Sequence, residues 1–129
     1  MDELIPVCVG NSADLRVGHE AYAFEHLFGY DYSFATGIIS GAPRVINSVN
    51  TGRPMQDIIQ TDAAINPGNS GALFDRSGNF IGMITSFRTC HGDFCRFNFA
   101  IPVDKLRRIF DDYVKQNVGT NLATDQYVE

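Results

Sequence analysis

In the run Asp62-Ala63-Ala64-Ile65-Asn66-Pro67-Gly68-Asn69-Ser70-Gly71, a serine is held between glycines just after a proline. A serine hydroxyl is a nucleophile only when its surroundings help it. Flanking glycines offer one form of help, because the backbone can fold tightly and aim two N–H groups at one spot beside the hydroxyl. Ser70 would then attack a carbonyl while the N–H groups of Gly68 and Ser70 hold the developing oxyanion. The same residues also read as a plain Asn-Pro-Gly-Asn turn between two strands, which needs no chemistry. On this segment alone both readings stand.

Serine attack needs a base, normally a histidine oriented by a carboxylate. The chain has 3 histidines. His19 sits beside the turn at Gly18, His26 ends a strand, and His91 lies at a hairpin tip. Each reads as a solvated surface histidine, and Asp62 reads as a structural carboxylate. Cys8, Cys90 and Cys95 are too few, and odd in number, for a disulfide framework. Cys90 and Cys95 flank His91, so a local disulfide or a Cys/His metal site there are readings beside the plain tip. Zinc needs about four ligands, and too few sit here, so no metal and no cofactor is expected.

The elements that must position Ser70 are strands. Ala21–Phe24, Tyr32–Ser40, Gln56–Thr61, Ala72–Asp75, Phe80–Phe87 and Phe94–Ile101 are aromatic, β-branched or alternating runs. Turn signals such as Thr51-Gly52-Arg53-Pro54 and Arg76-Ser77-Gly78-Asn79 punctuate them at close intervals, which favours a small antiparallel sandwich or barrel. From Val103 the period changes. Val103, Leu106, Ile109, Phe110, Tyr113 and Val114 recur at helical steps, with charges on the other face. Pro102 suits the helix start and Gly119 its stop. The expectation is an all-β, six-stranded antiparallel barrel over about residues 12–101, a helix over about 103–116, and a frayed tail at 120–129.

Composition narrows the partners. At 129 residues and 44% hydrophobic, the chain suits one domain, and its 15 Asp and Glu against 10 Lys and Arg give a net charge of −5. An acidic chain without a basic cluster is a poor nucleic-acid binder, and no apolar run is long enough to span a bilayer as a helix. The first residues show no basic segment followed by an apolar one, so neither a signal nor a transit peptide is expected, and the compartment stays unknown from sequence.

Gln60-Thr61-Asp62-Ala63-Ala64-Ile65-Asn66-Pro67-Gly68-Asn69-Ser70-Gly71 closely resembles the nucleophile segment of the Deg/HtrA (Do-like) serine proteases, a chymotrypsin-fold family. Asp14-Leu15-Arg16-Val17-Gly18, Thr36-Gly37-Ile38-Ile39-Ser40-Gly41, Ser77-Gly78-Asn79-Phe80-Ile81-Gly82 and Asn98-Phe99-Ala100-Ile101-Pro102-Val103-Asp104 extend the likeness in the family's order. Thr51-Gly52-Arg53-Pro54 is similar to plant chloroplast members. The resemblance implies that residues 1–119 form the C-terminal half, the second barrel, of a trypsin-like protease domain. It implies Ser70 as nucleophile, Gly68 and Ser70 as oxyanion donors, and Thr85, Ser86 and Phe87 on the strand that pairs with an extended, unfolded polypeptide. It further implies full-length Deg/HtrA subunits or a first-barrel half as partners, and a chloroplast setting.

Three departures from the family pattern bear on activity. The triad His and Asp belong to the first barrel, so this chain alone is expected to be inactive. Gly71-Ala72-Leu73-Phe74 is one residue short, since the family usually has two glycines after the nucleophile, and a slip of one residue must be re-registered or absorbed by the loop. Phe24-Glu25-His26-Leu27-Phe28-Gly29 replaces the usual Ile-Gly-Asn-Pro-Phe-Gly turn with bulkier residues. These departures support an alternative, a degenerate barrel that binds peptides or partner proteins without catalysis.

Overall fold

The computed structural model describes residues 3–26, 32–48, 50–65, 70–85 and 97–117. Alternation of small and aromatic residues sets the first strand. In β1 (Glu20–Glu25), Ala21, Ala23 and Glu25 are buried while Phe24 is exposed, the two-residue period of a half-buried strand. β2 (Ser33–Asn47), β3 (Pro54–Thr61), β4 (Ser70–Phe74), β5 (Phe80–Thr85) and β6 (Asn98–Pro102) follow. They close into a barrel in the order β1-β2-β3-β6-β5-β4, with every neighbouring pair antiparallel. Closure leaves no free edge between these strands. The expected six-stranded barrel with one C-terminal helix is the observed architecture.

β2 differs from expectation in length. It runs through Gly41, Ala42 and Pro43 to Asn47, where the sequence suggests a stop after Ser40. Its ladder with β3 shifts register between Ile39 and Gly41, between Gly41 and Arg44, and between Arg44 and Ile46. Each irregularity bends the strand without unpairing it, so residues beyond the expected stop become the corner of a continuing strand.

Inside the barrel, Ala21 and Ala23 face Ile39, Ile59, Leu73, Ile81, Ile84 and Ala100 in one buried cluster that also holds Ala63. Small residues on one strand leave room for branched ones on the others, as a narrow barrel filled by side chains requires.

The helix, α1 (Val103–Asn117), lies against β5 and β6. It buries Val103 and Val114 and half-buries Leu106, but Ile109, Phe110 and Tyr113 are 56%, 60% and 61% exposed. The apolar stripe is therefore wider than the face that meets the barrel. Its N-terminus is tied to a short 3-10 turn at Ser12–Asp14. Asp104 N donates to Ser12 Oγ (3.2 Å), and Ala13 N donates to Asp104 Oδ2 (3.1 Å). The tail at 120–129 lies outside the described residues.

Candidate active site

β3 delivers the chain to the glycine-flanked serine, and its last turn of backbone is fastened by side chains. Thr61 Oγ1 donates to the carbonyl of Ile38 (2.8 Å) and accepts from Ala63 N (3.2 Å). Asp62 Oδ1 accepts from Ile38 N (2.7 Å), and Asn98 Nδ2 donates to the carbonyl of Ala63 (2.7 Å). Asp62 thus supplies β2 with a hydrogen bond that the departing strand no longer gives. Gly37 makes the approach possible, because a Cβ there would lie 2.7 Å from Ala63 Cα. This places Asp62 in the structural role read from the sequence.

Beyond the loop, Ser70 is exposed and is the first residue of β4, opposite Thr85 of β5. The β1–β4 ladder runs unbroken from Tyr22↔Phe74 to Glu25↔Gly71. A Cβ on Gly71 would strike the carbonyl oxygen of Phe24 and lie 3.2 Å from Glu25 Cα, so the two backbones are in contact where Ser70 emerges. On its other side β4 pairs in step with β5 from Ser70↔Thr85 to Leu73↔Gly82, and then shifts to Phe74↔Phe80. Here β5 carries one residue more than β4. The alternation from Ser70 to Leu73 is left in step with β1.

Thr85 ends β5 and is paired on both sides, with Ser70 and with Phe99. Its backbone therefore offers no open edge to a further strand. Thr85 Oγ1 is buried with no hydrogen-bond partner among the described residues. Ser86 and Phe87, Gly68 (expected as an oxyanion donor) with the rest of 66–69, and Cys90, His91 and Cys95 all lie outside the described residues. Among the described residues, no group of three or more His, Cys, Asp or Glu could hold a metal ion.

Two histidines are described. His19 is exposed at the Gly18 turn, where its Nδ1 accepts from Arg16 N (3.3 Å). It precedes β1, whereas the Gly71 contact is at that strand's other end. His26 follows directly on Glu25 and packs edge-on against Tyr32, with centroids 5.7 Å apart. Beside it the outer face of β1 and β2 carries a cluster of rings: Tyr22 on Phe34 (5.7 Å), Phe24 on Tyr32 (5.1 Å) and Phe24 on Phe34 (6.2 Å). Tyr22 also donates to Glu20 Oε2 (3.0 Å), and that carboxylate holds the phenol above its usual pKa. Sequence reasoning gave no role to Asn98, whose contribution rests on a contact 35 residues away along the chain. It also missed that Glu25, in place of a family glycine, turns into the barrel and is buried.

A cavity of about 550 Å³ lies elsewhere, lined by Leu15, Pro43, Asp57, Ile59, Pro102 and Arg108 among others. Pro102 pairs with Gly82, whereas Ser70 shares the Thr85–Phe99 row, so cavity and serine sit toward opposite ends of the strands.

Comparison with known proteins agrees with this geometry. The trypsin-like peptidase domain family matches residues 2–83. Protease Do-like 1, chloroplastic, of Arabidopsis thaliana is 47% identical over 135 residues, covering 99% of this chain and 31% of that protein. Serine protease PepD of Mycobacterium tuberculosis is 36% identical, covering 93% of this chain and 28% of its own length. The chain therefore spans about a third of the length of the curated relatives it matches. Among solved structures, the HtrA-type protease AlgW with tripeptide superposes with a TM-score of 0.72 at 34% identity, over 85% of this chain and 36% of that one. Deg5 superposes with a TM-score of 0.65 at 40% identity, over 82% and 47% respectively.

Proposed function

This chain belongs to the trypsin-like peptidase family, in its Deg/HtrA (Do-like) branch, and from that premise we propose that it is the nucleophile-bearing half of a serine endopeptidase site. Ser70 Oγ attacks the scissile carbonyl, and the N–H groups of Gly68 and Ser70 receive the oxyanion. The substrate is an extended stretch of unfolded or damaged protein, laid against the strand that continues from Thr85 through Ser86 and Phe87. Main-chain hydrogen bonds along such a strand give affinity that tolerates many sequences. AlgW, solved with a tripeptide, supports a peptide as ligand, and the chloroplastic relatives support a chloroplast as the setting. Full-length Deg/HtrA subunits or a first-barrel half are the proposed partners.

The observation that carries this reading is Ser70 itself, exposed at the head of β4 with Gly71 wedged against β1 directly behind it. A hydroxyl presented on a rigid strand end suits attack on a bound carbonyl. Turnover on proteins also needs the His and Asp that the family places in its first barrel. Without a full triad, an oxyanion hole and binding retain only ~10³–10⁴ over the water reaction, so the 129 residues alone should not digest protein at an appreciable rate. Adding a first-barrel half in trans should produce casein hydrolysis that Ser70→Ala abolishes. A folded complex of the two halves that leaves casein intact would overturn the proposal.

One observation favours the second reading, a non-catalytic peptide-binding barrel. Glu25 is buried against Gly71, directly behind Ser70, and a side chain packed there can set the serine off position while leaving the peptide-pairing strand in use. In that case the trans complex would capture denatured casein without cutting it.

A further inference from the structure

We propose that Glu25 is a positioning residue for Ser70, and that its buried side chain and the shortened serine strand compensate for one another; the inference rests on Ser70 being the nucleophile and adds what holds it. Two departures from the family pattern meet here. One is Glu25 in place of a glycine, and the other is the missing residue after Ser70-Gly71. They lie far apart in the sequence, yet the β1–β4 ladder pairs Glu25 with Gly71.

Glu25, Gly71, Ile84 and Ala100 form one row across β1, β4, β5 and β6. Glu25, Ile84 and Ala100 are buried, so the row faces the barrel interior. Ser70, one residue back along β4, faces the other way and is exposed. Gly71 has no side chain to fill its place in the row. A Cβ built there would lie 3.2 Å from Glu25 Cβ, so the Glu25 stem already takes up that space. Ser70 presents its hydroxyl on the outer face while Glu25 backs the adjoining residue from the inner one.

From Gly71 to Leu73 the serine strand is in step with both neighbours. Gly71, Ala72 and Leu73 pair with Glu25, Phe24 and Ala23 on one side, and with Ile84, Met83 and Gly82 on the other. One more residue after Gly71 would find no partner on either side and would leave the ladder as a bulge. A bulge needs space, and on the inner face the Glu25 stem fills it. A glycine at position 25 would open that space. Two arrangements are therefore self-consistent: a straight strand backed by a glutamate, as here, and a bulged strand backed by a glycine. Either change alone mixes the two and shifts Ser70. Reaction geometry is sensitive to such shifts, since a displacement of ~1 Å can cost ~10²-fold in rate.

The test is fluorophosphonate labelling of Ser70 in the complex with a first-barrel half, followed by mass spectrometry, with capture of denatured casein measured beside it. In that reaction Ser70 Oγ bonds to phosphorus, fluoride leaves, and the first-barrel histidine takes the proton. The unaltered chain should be labelled and Ser70→Ala should not. Glu25→Gly should be labelled ~10–10²-fold more slowly, and so should a chain with one glycine inserted between Gly71 and Ala72. The two changes together should recover most of the lost rate. Glu25→Gln keeps the stem and an acceptor oxygen, so it should label close to the parent's rate. Casein capture should be equal in all of them, which separates a displaced serine from general damage. Circular dichroism should show each variant folded; if Glu25→Gly is not, Glu25→Ala should show the same slowing. Labelling of Glu25→Gly at the parent's rate or faster would overturn the proposal and leave Ser70 as nucleophile. A double change no faster than the single ones would overturn it too, as would casein capture that falls in step with labelling. No labelling of the unaltered complex would overturn Ser70 as nucleophile and the Glu25 role with it.

Discussion

The end of β3 and the start of β4 flank the same loop, and they are held by opposite means. At the β3 end, side chains do the fastening: Thr61 and Asp62 bind Ile38, and Asn98 binds Ala63. At the β4 start, the fastening is backbone against backbone, with Gly71 pressed on Phe24 and Glu25. The first arrangement supplies a hydrogen bond for each polar group as the strands separate. The second removes a side chain so that strands stay close. One end can lose a member and sag. The other has no slack at all, which fits a strand whose mismatch with β5 is displaced downstream, past Leu73.

That contrast predicts its largest effect at Gly71. Gly71→Ala places a methyl group against the Phe24 carbonyl and Glu25 Cα, and β1 cannot retreat because it is also laddered to β2. Overpacking typically costs ~1–3 kcal/mol, and with only backbone to yield, the loss should approach about 3 kcal/mol in urea unfolding. If the variant were as stable as the parent, the strands would not be in contact and the contrast would fail.

Asp62→Ala tests the other end and should cost less, about 2 kcal/mol, because Ile38 N–H loses its charged acceptor while its neighbours can relax. Asp62→Asn, which keeps an acceptor oxygen, should recover about half of that. Equal losses for the two variants would mean that the carboxylate's charge, rather than its acceptor oxygen, holds β2.

Much of this was legible in the sequence because it depends on spacing along one strand or helix. The two-residue alternation at Ala21–Phe24 and the helical steps from Val103 to Val114 are local patterns, and the structure forms β1 and α1 there. What stayed hidden depends on partners distant in the chain. Gly41-Ala42-Pro43 reads as a stop, yet β2 continues because β3 pairs with it through three register shifts. The exposure of Ile109, Phe110 and Tyr113 depends on how much barrel the helix meets. His26 reads as a surface histidine, and it is exposed; its ring contact with Tyr32 follows only once β1 and β2 are paired.

The smallest predicted effect sharpens the comparison most. Asn98→Ala removes one part-buried hydrogen bond to Ala63, worth about 1 kcal/mol. Ala63 N is also bound by Thr61, which reaches Ile38, the residue Asp62 holds. Asp62 and Asn98 therefore act on one connected network, and groups in such a network do not add. Asp62→Ala with Asn98→Ala should cost less than the two separate losses together, because the second change acts on a segment already loosened. Gly71→Ala with Asn98→Ala share no partner and should add within ~0.3–0.5 kcal/mol. Unfolding free energies of the three single and two double variants decide it: additivity in both pairs would mean that the β3 end is held by independent bonds, and coupling between Gly71 and Asn98 would mean that strain passes from one end to the other.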